Sequence, residues 1–155
     1  MAKHEILKEG DKAPAFSLLS DSGDTIALKD FKGQTLVLYF YPKDMTPGCT
    51  TQACDFRDSA SRFKKKKTLI LGVSRDGAER HIKFREKYDL NFPLLSDENG
   101  EVCEAYGVWQ EKSLYGKKFM GIVRTTFVIG GDGKIAKSFS KVKVKNHSVA
   151  VLEAI

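Results

Sequence analysis

Two cysteines five residues apart, Cys49 and Cys54, close the run Thr46-Pro47-Gly48-Cys49-Thr50-Thr51-Gln52-Ala53-Cys54. Thiols so placed can act as nucleophiles or exchange electrons. Thr46 followed by Pro47 reads as an N-cap and a first helical residue, because proline's fixed φ and missing N–H suit that position. Cys49 is then the third residue of the helix, where unpaired backbone N–H groups and the positive end of the dipole face its sulfur. Such a setting favours thiolate over thiol. Thr46 lies three residues back, so its hydroxyl is expected to cap the turn and sit near the sulfur. Pro42, which cannot donate to a strand ladder, ends the preceding strand.

Ionisation alone does little. A cysteine of ordinary pKa ~8.5 is about 3% thiolate at pH 7. Lowering that pKa to ~6 makes it ~90% thiolate, a gain of about 30-fold. Enzymes commonly supply about a million-fold or more. Most of the acceleration must come from positioning the substrate and stabilising the leaving group.

The spacing of the pair sets a further constraint. Five residues of ideal α-helix rotate by about 500° and rise ~7.5 Å, which holds the two Cα atoms roughly 8.7 Å apart. A disulfide needs them within about 7 Å. Either the helix partly unwinds on each turnover or the partner cysteine lies elsewhere. Cysteines on a helix are often inert core residues, but the cap and proline before Cys49 argue against that here. Cys103, beside Val102 and Tyr106, reads as a packed residue. His4, His81 and His147 are far apart and no Cys/His spacing suits zinc, so neither a metal nor a cofactor is expected. Gly130-Gly131-Asp132-Gly133 and Asp97-Glu98-Asn99-Gly100 fit turns better than phosphate or calcium loops. Arg124, between Val123 and Thr125, is by itself an unremarked surface or ion-paired residue.

The surrounding elements follow from periodicity. Phe16-Ser17-Leu18 and Thr25-Ile26-Ala27-Leu28 alternate around Asp21-Ser22-Gly23-Asp24 and predict a hairpin. Residues 35–41 and 68–73 are unbroken β-favouring runs, as in parallel strands covered on both faces. Between them Ala53, Phe56, Ala60 and Phe63 recur at helical spacing, which completes a right-handed βαβ unit. A second helix is expected with Ala78, Ile82 and Tyr88 inward, then a short Pro-containing segment and a short helix over 100–106. Residues 125–129 and 135–139 form the clearest hairpin, and Val149, Leu152 and Ile155 mark a closing helix that ends at the last residue. The order predicts a single α/β domain over 1–155. Its fold is thioredoxin-like, a central mixed sheet flanked by helices, with an N-terminal β-hairpin extension.

Composition agrees with that size and class. The 155 residues are 41% hydrophobic and 30% charged, enough for one core. No apolar run approaches the ~20 residues of a membrane span, and Met1-Ala2-Lys3-His4-Glu5 has no apolar signal region, so a small soluble cytoplasmic domain is expected. The net charge of +6 is local, in Lys64 to Lys67 and in Lys134, Lys137, Lys141, Lys143 and Lys145. Only Phe139 interleaves with the second group, so neither nucleic acid nor membrane is expected as a partner. Solvated lysines at a helix end and on an edge strand explain both.

The spacing Pro-x-x-x-Thr-x-x-Cys, met by Pro42, Thr46 and Cys49, resembles the active-site signature of peroxiredoxins. Thr-Pro-Gly-Cys-Thr-x-Gln-Ala-Cys resembles the peroxiredoxin Q, or bacterioferritin comigratory protein, branch. The likeness extends from Gly10-Asp11-Lys12-Ala13-Pro14 through Leu94-Leu95-Ser96-Asp97 and Tyr106-Gly107-Val108-Trp109 to Gly121-Ile122-Val123-Arg124-Thr125-Thr126-Phe127. Beyond Leu152 the chain stops early by comparison, which would leave the last helix a turn short. The resemblance implies a thiol-dependent peroxidase acting on hydrogen peroxide and organic hydroperoxides in antioxidant defence. By it Cys49 is the peroxidatic cysteine and Cys54 the resolving one, joined as an intramolecular disulfide. Arg124 would favour the thiolate and hold the peroxide, Pro42 would shield the sulfur, and Thr46 would orient the substrate. It further implies re-reduction by thioredoxin or a similar dithiol, and the enzyme is expected to be a monomer. A thioredoxin-like disulfide oxidoreductase fits less well, since four residues rather than two separate the cysteines. A basic binding module leaves Thr46-Pro47-Gly48-Cys49 unexplained.

Overall fold

Unbroken apolar runs can be satisfied only between two covering layers, and the two longest runs lie at the centre of the molecule. The computed structural model describes residues 5–155, so the amino-terminal reading over Met1 to His4 lies outside the described residues. The elements are β1 (Ser17–Ser20), β2 (Thr25–Ala27), a 3-10 turn (Leu28–Phe31), β3 (Thr35–Phe40), α1 (Pro47–Lys65), β4 (Thr68–Ser74) and α2 (Ala78–Tyr88). They continue as β5 (Leu94–Ser96), α3 (Glu101–Ala105), β6 (Trp109–Leu114), β7 (Lys117–Ile122), β8 (Thr125–Ile129), β9 (Ile135–Ser140) and α4 (His147–Glu153). Seven strands form one mixed sheet in the order β2-β1-β5-β4-β3-β8-β9. The β3-α1-β4 unit is parallel, in register from Thr35 with Thr68 to Phe40 with Val73, and β8 runs antiparallel on the other side of β3.

Alternation along β3 divides the core. Leu36, Leu38 and Phe40 face Cys103 and Tyr106, contributed by α3 and the residue that follows it. Val37, Tyr39 and Tyr41 face Ala53 and Phe56 of α1, Phe84 of α2 and Val151 of α4. Helices therefore cover both faces, the arrangement expected of a thioredoxin-like fold. The β1–β2 hairpin extends the sheet at its amino-terminal edge. The lysines of the carboxy-terminal hairpin lie on or just beyond β9, an edge strand. Gly107, in the stretch that joins α3 to β6, has φ +78°, and a Cβ there would collide with the backbone of Glu5.

Three expectations need correction. Ile82 does not face inward. It is exposed, while His81 and Phe84 are the buried residues of α2. In α4 the inward residues are Val151 and Leu152, and Val149 is exposed. The antiparallel β6–β7 hairpin was not expected at all. Its turn, Tyr115-Gly116, takes positive φ at both residues, the geometry of a two-residue hairpin without the usual Asn-Gly. The residues of its strands are largely exposed and the apolar ones do not alternate, so no strand pattern betrays them.

Candidate active site

The loop after β3 delivers Cys49. Tyr41 extends the ladder by one bond, its N–H donating to Val73 O at 3.0 Å. Pro42 then turns the chain out of the sheet and lies half-buried above it. Thr46 is extended (φ −78°, ψ 153°), Pro47 is the first helical residue, and Cys49 is the third, 2% exposed. Thr46 does not cap the helix with its side chain. Its hydroxyl donates to Lys43 O at 2.8 Å, drawn back into the loop by a carbonyl close at hand. Only its backbone carbonyl takes part in the helix, accepting from Thr50 N–H at 2.9 Å. The amides of the first turn thus lack a capping side chain, and an incoming oxygen can take that place.

Arg124 reaches this turn from the neighbouring strand, on the face of the sheet that α1 covers. Because β3 and β8 are antiparallel, Phe40 pairs with Thr125, so the residue before β8 stands beside the loop that follows β3. The guanidinium donates through Nη2 to Cys49 Sγ at 3.4 Å and through Nη1 to Gln52 Oε1 at 2.7 Å. The Arg124 backbone is held as well, its carbonyl accepting from Val142 N–H at 3.1 Å. Gly48 leaves room for the fork: a Cβ there would stand 3.1 Å from Nη2. A cation, a set of amides and a sulfur thus converge within one helical turn, an arrangement suited to a thiolate attacking an oxygen and to donors meeting the charge that departs.

Cys54 is half-buried on the same helix and, five residues on, about 140° around it from Cys49. All three cysteines are unpaired. Cys103 is fully buried on the other face of the sheet. Burial, with Asp97 beside it, pushes its thiol far up, so it is inert as a nucleophile. Beneath the turn that carries Cys49, Tyr39 packs its ring, tilted, against Tyr41 and Phe56. Burial, then the proximity of Cys49, pushes its phenol well up, so it stays protonated. Beside Pro42 opens a groove of about 490 Å³ walled by Trp109, Lys112, Phe119 and Met120. Lys112 donates to Ile122 O at 2.9 Å, and burial, then the charge of Arg124, pulls its ammonium down.

The structure brings Arg124 against Cys49, sets Thr46 at the cap of the same helix with Pro42 in the loop before it, and places Cys54 about one and a half turns along α1. It adds Gln52 and Lys112, which sequence reasoning passed over. Gln52 had a signal: a polar residue three positions after Cys49, on the helix face that is otherwise Ala53, Phe56 and Phe63. Lys112 had none, because the hairpin that carries it was invisible.

Comparison with known proteins bears on the same residues. The model of the AhpC/TSA family matches residues 9–138. A Bacillus subtilis (strain 168) protein, Peroxiredoxin Bcp, is 51% identical over 146 residues, 94% of this chain and 93% of that protein. The Escherichia coli (strain K12) Peroxiredoxin Bcp is 51% identical over 146 residues, 94% of each chain. Among solved structures, the bacterioferritin comigratory protein of Xanthomonas campestris, described for its alkyl peroxide reduction activity, superposes with a TM-score of 0.87. It is 39% identical, over 97% of this chain and 96% of that one.

Proposed function

The chain belongs to the AhpC/TSA family and is a peroxiredoxin, a thiol-dependent peroxidase; from that premise we propose that its chemistry runs through Cys49 and is completed by Cys54. The Cys49 thiolate attacks the terminal oxygen of a hydroperoxide. The O–O bond breaks, the leaving alkoxide or hydroxide takes a proton, and Cys49 becomes a sulfenic acid. The Cys54 thiolate then attacks that sulfur and expels hydroxide, which takes a proton from solvent to leave as water, and the two sulfurs form an intramolecular disulfide. A dithiol reductant of the thioredoxin type accepts the disulfide and restores both thiols. The Arg124 fork, 3.4 Å from the sulfur, carries this reading, with Pro42 shielding the sulfur and Thr46 orienting the peroxide.

Hydrogen peroxide and organic hydroperoxides are both assigned as substrates. The groove beside Pro42, in which Trp109, Phe119 and Met120 stand among the charged Lys43, Arg75, Glu98 and Lys112, has room for an alkyl group, in keeping with the alkyl peroxide reduction of the Xanthomonas protein. The whole chain, 1–155, acts as one peroxiredoxin domain, as a monomer in the cytoplasm, contributing to antioxidant defence and redox homeostasis, with neither nucleic acid nor membrane as partner. Among the described residues no helix is long and apolar enough to cross a membrane. The test is peroxide consumption in the presence of a dithiol reductant. Cys49→Ser is expected to abolish turnover, and more than a trace of remaining activity would overturn the assignment.

A further inference from the structure

We propose that Asp44 and His81 are positioning residues for the peroxide reaction, forming a buried hydrogen-bonded pair that clamps the 42–46 loop onto α2. Both side chains are fully buried. His81 Nδ1 lies 2.6 Å from Asp44 Oδ2, and its Nε2 lies 2.9 Å from Leu95 O. Each ring nitrogen thus faces an oxygen. The ring is thus held at both ends, by the Asp44 side chain and by a backbone carbonyl, and Tyr41 OH donates to the other carboxyl oxygen of Asp44 at 2.6 Å.

The backbone of Asp44 is fixed to the same region. Its N–H donates to Asp76 Oδ2 at 2.8 Å, and its carbonyl accepts from Arg80 Nη2 at 3.2 Å. Every polar group of Asp44 is therefore tied down. The next residue, Met45, holds a positive φ of 64°, a conformation that a non-glycine residue keeps only when its surroundings impose it. On either side of this anchor stand Pro42 and Thr46, which meet the peroxide. A fully satisfied buried polar network rigidifies its surroundings, and displacement of a reacting group by ~1 Å can cost about 100-fold in rate.

The inference rests on Cys49 as the peroxide-reacting thiol. The experiment replaces the pair by apolar residues, Asp44→Ala with His81→Leu, so that no unpaired charge remains buried. Two rates are read at Cys49 by mass spectrometry: reaction with hydrogen peroxide and alkylation by iodoacetamide, which reports the thiolate without needing the loop. The peroxide rate is expected to fall about 10- to 100-fold while alkylation stays within about twofold. An unchanged peroxide rate, or equal losses in both, overturns the proposal. Arg80→Ala, at a half-exposed side chain, carries the test if the double variant does not fold. It should melt near wild type yet slow the peroxide reaction about threefold or more, and no slowing counts against the clamp. Failure of wild-type Cys49 to react with peroxide would instead defeat the catalytic reading itself.

Discussion

The guanidinium of Arg124 does two things that a single ammonium cannot. One nitrogen reaches Cys49 Sγ while the other is held by Gln52 Oε1, so the planar fork is aimed as well as charged. Arg124→Lys is therefore expected to slow sulfenic acid formation about 10- to 100-fold, with a melting temperature close to wild type because the side chain is only half-buried. An unaltered second-order rate with peroxide would remove Arg124 from the site. Gly48 gives a prediction of opposite signs. Alanine in place of glycine within a helix stabilises it by about 0.5 kcal/mol, yet a Cβ 3.1 Å from Nη2 must push the fork aside. Gly48→Ala should hold or raise the melting temperature while lowering the peroxide rate several-fold, and a rate equal to wild type would show that the fork has slack. At this scale the sequence was legible where chemistry is local. Thr46, Pro47 and Cys49 occupy the helical positions that their types demand. The Thr46 hydroxyl was misread because a cap rule compares it only with the amides ahead, whereas the Lys43 carbonyl behind offered an acceptor at 2.8 Å.

On an intact α1 the two cysteines stand roughly 8.7 Å apart at Cα, so forming their bridge requires the first turns to unwind. The structure marks where unwinding should stop. Asp55, the residue after Cys54, accepts from Ser148 N–H at 2.8 Å and from Ser148 Oγ at 2.7 Å, which pins α1 to the start of α4. Phe56 beyond it is fully buried against Tyr39 and Phe63. Oxidised protein is thus expected to lose amide protection over about 46–54 and to keep it from Phe56 onward. Cys54→Ser should react once with peroxide, stall as the sulfenate and over-oxidise sooner than wild type. Mass spectrometry of peroxide-treated wild type should show a Cys49–Cys54 bridge with Cys103 free. A bridge from Cys49 to Cys103, or a dimer linked through Cys49, would sink local unwinding. Elements with strong periodicity, β3, α1, β4 and the β8–β9 hairpin, could be read from the chain. The inward face of α2 could not, because His81 is drawn in by Asp44 and the Leu95 carbonyl, polar partners that no apolar stripe records.

Across the whole molecule the site depends on sheet order. Cys49 and Arg124 are 75 positions apart in sequence, and only the antiparallel pairing of β3 with β8 sets them side by side, which is why Arg124 could be assigned from family likeness but not from spacing. The same long-range packing makes stability depend on pH through His147. This side chain is 5% exposed, sits edge-on to the rings of Phe56 and Phe139, and has its Nε2 2.8 Å from Thr126 Oγ1. Burial pushes its pKa down to about 4, with Asp55 opposing and Arg124 adding to the shift. In the unfolded chain the imidazole titrates near its ordinary value of ~6.5. Between these values the unfolded state binds the extra proton, so stability is full above pH ~6.5 and falls as pH drops towards ~4. The loss amounts to about 3 kcal/mol from this group, and below pH ~4 it contributes no further change. Since α4 also holds Asp55, acid should loosen the clamp on α1 before the sheet melts. Urea unfolding of the reduced protein at pH 7, 5.5 and 4 measures the slope. His147→Gln, which keeps a polar partner for Thr126 but cannot titrate, should flatten it, and equal slopes in the two proteins would mean that the acid sensitivity lies elsewhere.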